Sequence, residues 1–183
     1  MKVSVIIPVY NVAKYIERCL LSVLNQTWQD LEVILVNDCT PDGSMQIVKK
    51  LISSHPRGAV VRCLEHEKNK GLSAARNTGI SVSVGDYLYF LDSDDYIPAN
   101  AIELLAEAAR QKQTNFVIGN YEVTGARRWA PPLSLGTGLY EGNALVLSNY
   151  VQENGMSWHG TTGESSFRFA ASTLFSGGHR TRR

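Results

Sequence analysis

The sequence predicts an α/β protein built on a mainly parallel, Rossmann-like sheet flanked by helices. Three observations carry this. Short β-branched runs alternate with amphipathic helical patterns over roughly the first hundred residues, the order that builds βαβ units. One run, LEVILVND, is hydrophobic almost without a break, as a central parallel strand covered on both faces must be. The runs close on polar residues, in PVYN, ND, EHEKN and LDSDD, at the place where a doubly wound sheet keeps its ligand.

Each element can be justified in turn. VSVIIPV reads as the first strand. After Asn11, the apolar residues Ile16, Cys19, Leu20, Val23 and Leu24 recur at helical spacing while Lys14, Glu17 and Arg18 fall opposite, so this helix packs one stripe on the sheet. LEVILVND is the second strand and ends at Asp38. Pro41, Asp42 and Gly43 make a turn, and the helix behind it sets Met45, Val48, Leu51 and Ile52 on one side. VVRCLEH follows as the third strand, GLSAARNTGI as a helix of small residues, and DYLYFL as a short aromatic strand. PANAIELLAEAARQKQ is a long amphipathic helix leading into the strand FVIGNY. Beyond about Tyr121 the periodicity weakens and Gly, Pro, Ser and Thr rise, in WAPPLSLGTG and HGTTGESS. This divides the chain into an α/β domain over 1–124 and a less regular segment over 125–183.

At 183 residues and 44% hydrophobic content the chain can bury one sizeable core. The net charge is only +1, with Lys and Arg spread thinly, which argues against nucleic acid as a partner. Arg127 with Arg128, and Arg180, Arg182 and Arg183 near the end, are the two clusters, read as a solvated turn and a frayed terminus. Cys19, Cys39 and Cys63 are odd in number and far apart, which fits a reducing cytoplasm. Residues 2–8 are strand-like and show no export signal. No run reaches the roughly 18 apolar residues of a membrane span. The expectation is a soluble cytoplasmic protein, with peripheral association at the inner face of the membrane left open.

The chemistry concentrates at the strand ends. Asp92, Asp94 and Asp95 crowd together in LDSDD; such carboxylates repel unless a cation or donors offset them. A hard divalent ion completed by phosphate oxygens would do so; the alternative is that Asp95 caps the next helix and the other two are solvated. Asp38, at the end of the second strand, suits a carboxylate that accepts from a base or ribose edge, or else an Asx-turn holding CTPDG. Arg76 sits among Ser73, Ala74, Ala75 and Gly79, small neighbours that let a ligand approach. Its planar fork suits a diphosphate and equally a pairing with one of the aspartates, and the two roles are compatible. His55, His66, His159 and His179 lack a metal-helix spacing and read as surface or core histidines. The sequence has no GxSxG elbow, GxxxxGK[ST] loop or GxGxxG turn, which weakens hydrolase, ATPase and dehydrogenase readings.

Taken together and in order, VSVIIPVYN, LEVILVND, GLSAARNTGI and YLYFLDSDD resemble the family 2 glycosyltransferases of GT-A fold, over roughly residues 1–121. The resemblance implies transfer of a sugar, with inversion, from a nucleoside-diphosphate donor, favouring UDP, to a hydroxyl of a glycan or lipid-linked acceptor. It implies that Val9 and Tyr10, in the strand end Pro8 to Asn11, pack beside the base, and that Asp38 hydrogen-bonds the base. Arg76 would lie near the diphosphate, Asp92 and its neighbour Ser93 at the ribose or sugar, and Asp94 on a Mn2+ or Mg2+ ion. The family's general base usually comes from a Glu-Asp step after the aspartate motif. Here the nearest counterpart is GESSF, where Glu164 stands beside Ser165, so residues 125–183 are expected to be a partial, loosely packed acceptor-side segment with Glu164 as the candidate base. The rivals are a non-catalytic nucleotide-sugar-binding module and a sugar-phosphate nucleotidyltransferase. The latter would need a Gly-rich basic loop where PVYN stands.

Overall fold

The computed structural model describes residues 1–114, 116–119 and 173–176. Within these, the order is β1 (Val3–Val9), α1 (Ile16–Leu24), β2 (Leu31–Asn37), α2 (Ser44–Ser54), β3 (Val61–Glu65), α3 (Leu72–Val82), β4 (Tyr87–Phe90), α4 (Ala101–Lys112), β5 (Phe116–Ile118) and β6 (Thr173–Ser176). The strands form one sheet in the order β3-β2-β1-β4-β6-β5. The first four run parallel, with Val9 opposite Asn37 and Ile6 opposite Phe90. β6 runs antiparallel to both β4 and β5.

β1 lies between β2 and β4 and is buried at every position. Its residues alternate between faces, as period 2 demands. Val3, Val5, Ile7 and Val9 enter a core with Ile16, Cys19, Leu20 and Val23 of α1, Val48 of α2 and Ile102 of α4. Ile6 packs on the other face with Ile34 and Val36 of β2 and Ala75 of α3. The five residues the sequence assigned to the buried stripe of α1 are the five that α1 buries.

The small residues of α3 have a packing reason. A Cβ on Gly79 would stand 2.5 Å from Ile6 Cγ2, so only glycine lets this helix lie so close to β1. β3 begins one residue later than expected because Val60 ends a single 3₁₀ turn, Gly58–Val60. A Cβ on Gly58 would meet the Ile52 carbonyl oxygen at 1.9 Å. As the outermost strand, β3 is half-open to solvent.

The division near residue 124 lies outside the described residues. Part of 125–183 nevertheless joins the sheet, since Thr173–Ser176 forms β6 between β4 and β5. The backbone groups of these four residues pair with strands on both sides; the rest of the segment lies outside the described residues. No helix among the described residues is long and apolar enough to cross a membrane.

Candidate functional site

The parallel register brings the carboxyl ends of β1 and β2 level, while β4 ends opposite Ile6 and continues as a loop toward the same edge. Between them and the N-terminal end of α3 opens a cleft of about 320 Å3. The end of β1 contributes Pro8 and Val9, and Tyr10 follows it; Asp38 follows β2, and the loop after β4 contributes Asp92, Ser93 and Asp94. These seven are all sequence-expected site residues. Tyr10, 47% exposed, and Leu72, 50% exposed, give the cleft open apolar walls.

Asp38 is 3% exposed and heavily bonded. Its Oδ1 accepts from Nδ1 of His66 at 2.6 Å and from the Lys70 amide at 2.8 Å. Its Oδ2 accepts from the Gly71 amide at 2.8 Å. Both amides lead into α3, where a helix N-terminus favours a negative charge. Burial pushes the Asp38 carboxyl up, but the Lys70 amide, the His66 side chain and the Gly71 amide outweigh it and hold it below its ordinary value. Gly71 takes φ +86, a conformation glycine adopts without a steric cost.

The Asx-turn alternative for Asp38 is therefore overturned, because its carboxylate turns toward residues 66–71 and away from CTPDG. The turn is held by its neighbours. Oδ1 of Asn37 accepts from the Thr40 amide at 2.9 Å. Oδ2 of Asp42 accepts from the Ala13 amide at 2.8 Å, while its Oδ1 accepts from the Thr40 hydroxyl and from the amide and hydroxyl of Ser44. Burial works against ionisation of Asp42, yet these donors lower its carboxyl to about 2. Thr40 and Ser44 in turn receive the amides of Asn11 and Val12. Asn11 and Cys39, each just past a strand, take φ of 55 and 57, so both loops bend sharply at the mouth of the cleft. Asn11 serves this loop junction and is not among the cleft-lining residues.

The loop after β4 is held by its main chain. The Leu91 amide donates to Ile6 O, and the Asp95 amide to Asp92 O. Side chains of α1 do the rest: Cys19 Sγ donates to Asp92 O at 3.6 Å, Arg18 donates to Asp94 O at 3.3 Å, and Ser22 Oγ accepts the Ile97 amide. Gln26, 2% exposed, donates to Pro98 O and accepts the Ile102 amide. Burial, with the charges of Asp95, Asp94 and Asp92, keeps the Cys19 thiol far above its ordinary range. Arg76 is not among the cleft-lining residues; it donates to Asp92 Oδ1 at 2.6 Å, the aspartate pairing that the sequence offered beside a diphosphate role. Asp95, 6% exposed, does not cap α4, which starts at Ala101 behind Asn100. Glu164 lies outside the described residues.

Sequence reasoning missed Asn69, Gly71, Leu72 and Ala75 in the cleft wall and the roles of His66 and Asp42. EHEKN as a polar strand end was the available signal for the 66–71 loop. Nothing local showed that His66 reaches Asp38.

A Rossmann-like sheet with its cleft at the carboxyl ends of parallel strands, aspartates on either side, is the architecture of the GT-A fold. A profile of the Glycosyl transferase family 2 matches residues 4–171, and the chain belongs to that family. It is 44% identical over 132 residues to the uncharacterized glycosyltransferase EpsJ of Bacillus subtilis, covering 71% of this chain and 37% of EpsJ. S. aureus TarS 1-349 in complex with UDP superposes with a TM-score of 0.58 at 32% identity, over 63% of this chain and 34% of that one. The same TarS piece is also known in complex with UDP-GlcNAc. The mannosyltransferase PcManGT from Pyrobaculum calidifontis in complex with GDP-Man and Mn2+ gives a TM-score of 0.52 at 31% identity, over 57% of this chain and 32% of that one. The chain thus spans well under half of each.

Proposed function

We propose that this chain carries the donor-binding part of a glycosyltransferase that moves a sugar, with inversion, from a uridine-diphosphate sugar to a hydroxyl of a glycan or lipid-linked acceptor on the cytoplasmic side. The observation that carries the reading is the cleft itself, with Tyr10 and Asp38 at one end and Asp92 and Asp94 at the other. TarS with UDP-GlcNAc and PcManGT with GDP-Man support a nucleotide sugar as its occupant.

The residues fit a divalent ion of a particular kind. Among the described residues no group of three or more His, Cys, Asp or Glu could hold one. Two cleft-lining carboxylates, Asp92 and Asp94, instead suit Mg2+ or Mn2+, which take one or two carboxylates and draw their other oxygens from phosphate and water. PcManGT with Mn2+ supports this. Bound there, the ion supplies charge that offsets the negative charge growing on the leaving diphosphate.

The chain's own residues bind and orient. Tyr10 and Val9 pack beside the base and Asp38 accepts its N–H. Arg76 holds the Asp92 carboxylate at the ribose or sugar. A carboxylate on the far side of the sugar takes the proton of the acceptor hydroxyl as it attacks the anomeric carbon, for which Glu164 is the candidate. Release of nucleoside diphosphate from a UDP-sugar panel, measured with and without Mn2+ and with acceptor sugars, tests this. Metal-dependent release that fails in Glu164→Gln supports it; tight binding without release under any condition sinks the transferase reading in favour of a binding module.

A further inference from the structure

We infer that His66 is a positioning residue of this cleft: it fixes the Asp38 carboxylate so that the acceptor position left on Oδ2 faces the ligand and selects a base bearing a ring N–H. The inference rests on the donor-binding reading above and adds to it a residue that sequence reasoning had set among surface or core histidines.

An ionised carboxylate is an acceptor only, with about two positions on each oxygen. On Asp38, Oδ1 is filled by His66 and the Lys70 amide. Oδ2 takes the Gly71 amide and keeps one position among the described residues, while Asp38 lines the cleft. His66 is itself immobilised. It is 5% exposed, its amide donates to Asn37 O at 2.9 Å, and its Nε2 lies 2.9 Å from Thr78 Oγ1 on α3. Facing a carboxylate, Nδ1 carries the proton, and the Thr78 hydroxyl fixes the ring plane from the other side. The histidine therefore ties the end of β2, the cleft carboxylate and α3 into one unit.

Without that donor, Asp38 would keep its two amide partners but gain an open position on Oδ1. Either oxygen could then turn toward the ligand, or a water could bridge. The consequence is specific to the base. Uracil and guanine offer a ring N–H to a carboxylate, whereas cytosine and adenine offer a ring acceptor at the corresponding edge and are repelled. A histidine that merely filled the core would weaken binding of all four alike.

The test is calorimetric binding of UDP, GDP, CDP and ADP, each with Mn2+, to the parent, His66→Leu, His66→Asn and Thr78→Val. The parent should prefer UDP or GDP to CDP and ADP. His66→Leu should lose about tenfold to hundredfold in affinity for the preferred base, the scale of a hydrogen bond to a charged group, with little change for CDP and ADP. His66→Asn, whose side-chain amide stands where Nδ1 does, should recover most of the preference, and Thr78→Val should show a smaller loss of the same kind. An unchanged preference in His66→Leu, or an equal loss across all four nucleotides, overturns the inference. Should His66→Leu fail to fold, Thr78→Val decides it, and unchanged selectivity there overturns it as well. A parent that binds none of the four brings down the donor-binding reading and this inference with it, an outcome distinct from a selective parent indifferent to His66.

Discussion

The two ends of the cleft use aspartate in opposite ways. At the β1 and β2 end, Asp38 and Asp42 face inward to the chain: between them they accept from the amides of Ala13, Ser44, Lys70 and Gly71, two hydroxyls and an imidazole. At the β4 end the main chain is held instead, by Arg18, Cys19 and Ser22 of α1 and by Gln26 just past it. That leaves Asp92 and Asp94 as carboxylates lining the cleft, with Arg76 against one of them. The difference separates carboxylates bonded into the loops around the cleft from carboxylates that line the cleft. The first kind is stabilised as an anion by the fold, as the lowered Asp38 and Asp42 carboxyls indicate; of the second kind, Asp92 is paired with the Arg76 guanidinium.

The comparison breaks most decisively at Asp94. Replacing it with alanine should cost several kcal/mol of Mn2+-dependent UDP binding, the scale of a lost metal contact, while the thermal midpoint stays near that of the parent. Metal-dependent affinity equal to the parent's in calorimetry would remove Asp94 from the occupant-facing class.

Asp42→Asn probes the opposite class. It should lower stability by about 1 to 3 kcal/mol through bonds lost or weakened at four donors, measured by urea unfolding. Its acid dependence has a definite sign. A carboxyl held at about 2 against an ordinary 3.8 contributes stability fully present above the higher value and lost as pH falls through the lower one. Melting of the parent should therefore fall more steeply between pH 4 and 2 than melting of Asp42→Asn, and parallel curves would show that Asp42 builds nothing.

Asp38 stands between the classes, since it builds the 66–71 loop and also lines the cleft. Asp38→Ala should weaken UDP binding by about 1 to 3 kcal/mol and also lower the thermal midpoint. A change in only one of the two readouts would assign it to a single class. The smallest effect is expected from Arg18→Ala, which removes a guanidinium 4.3 Å from the Tyr96 ring and its bond to Asp94 O. At an exposed site this is worth about 0.5 to 1 kcal/mol. A much larger loss of Mn2+-dependent binding would mean that the main-chain scaffold of the aspartate loop hangs on this one side chain.

The sequence by itself determined the elements and the polar ends of the strands. The stripe of Ile16, Cys19, Leu20, Val23 and Leu24, the unbroken run of β2 and the carboxylates of LDSDD are local patterns, set by the 3.6- and 2-residue periods of the backbone, and the structure keeps each where the pattern put it. Only the tertiary structure decided the partners. His66 meets Asp38 across 28 residues of chain, Asp42 meets the Ala13 amide across 29, and Arg76 chooses Asp92 across 16. β6 enters the sheet between β4 and β5 although the sequence around it carries no regular period. The physical reason is that a side chain's period fixes the face it occupies, whereas its hydrogen-bond partner is whichever buried donor or acceptor the packed strands bring within about 3 Å, and that meeting exists only once the sheet has formed.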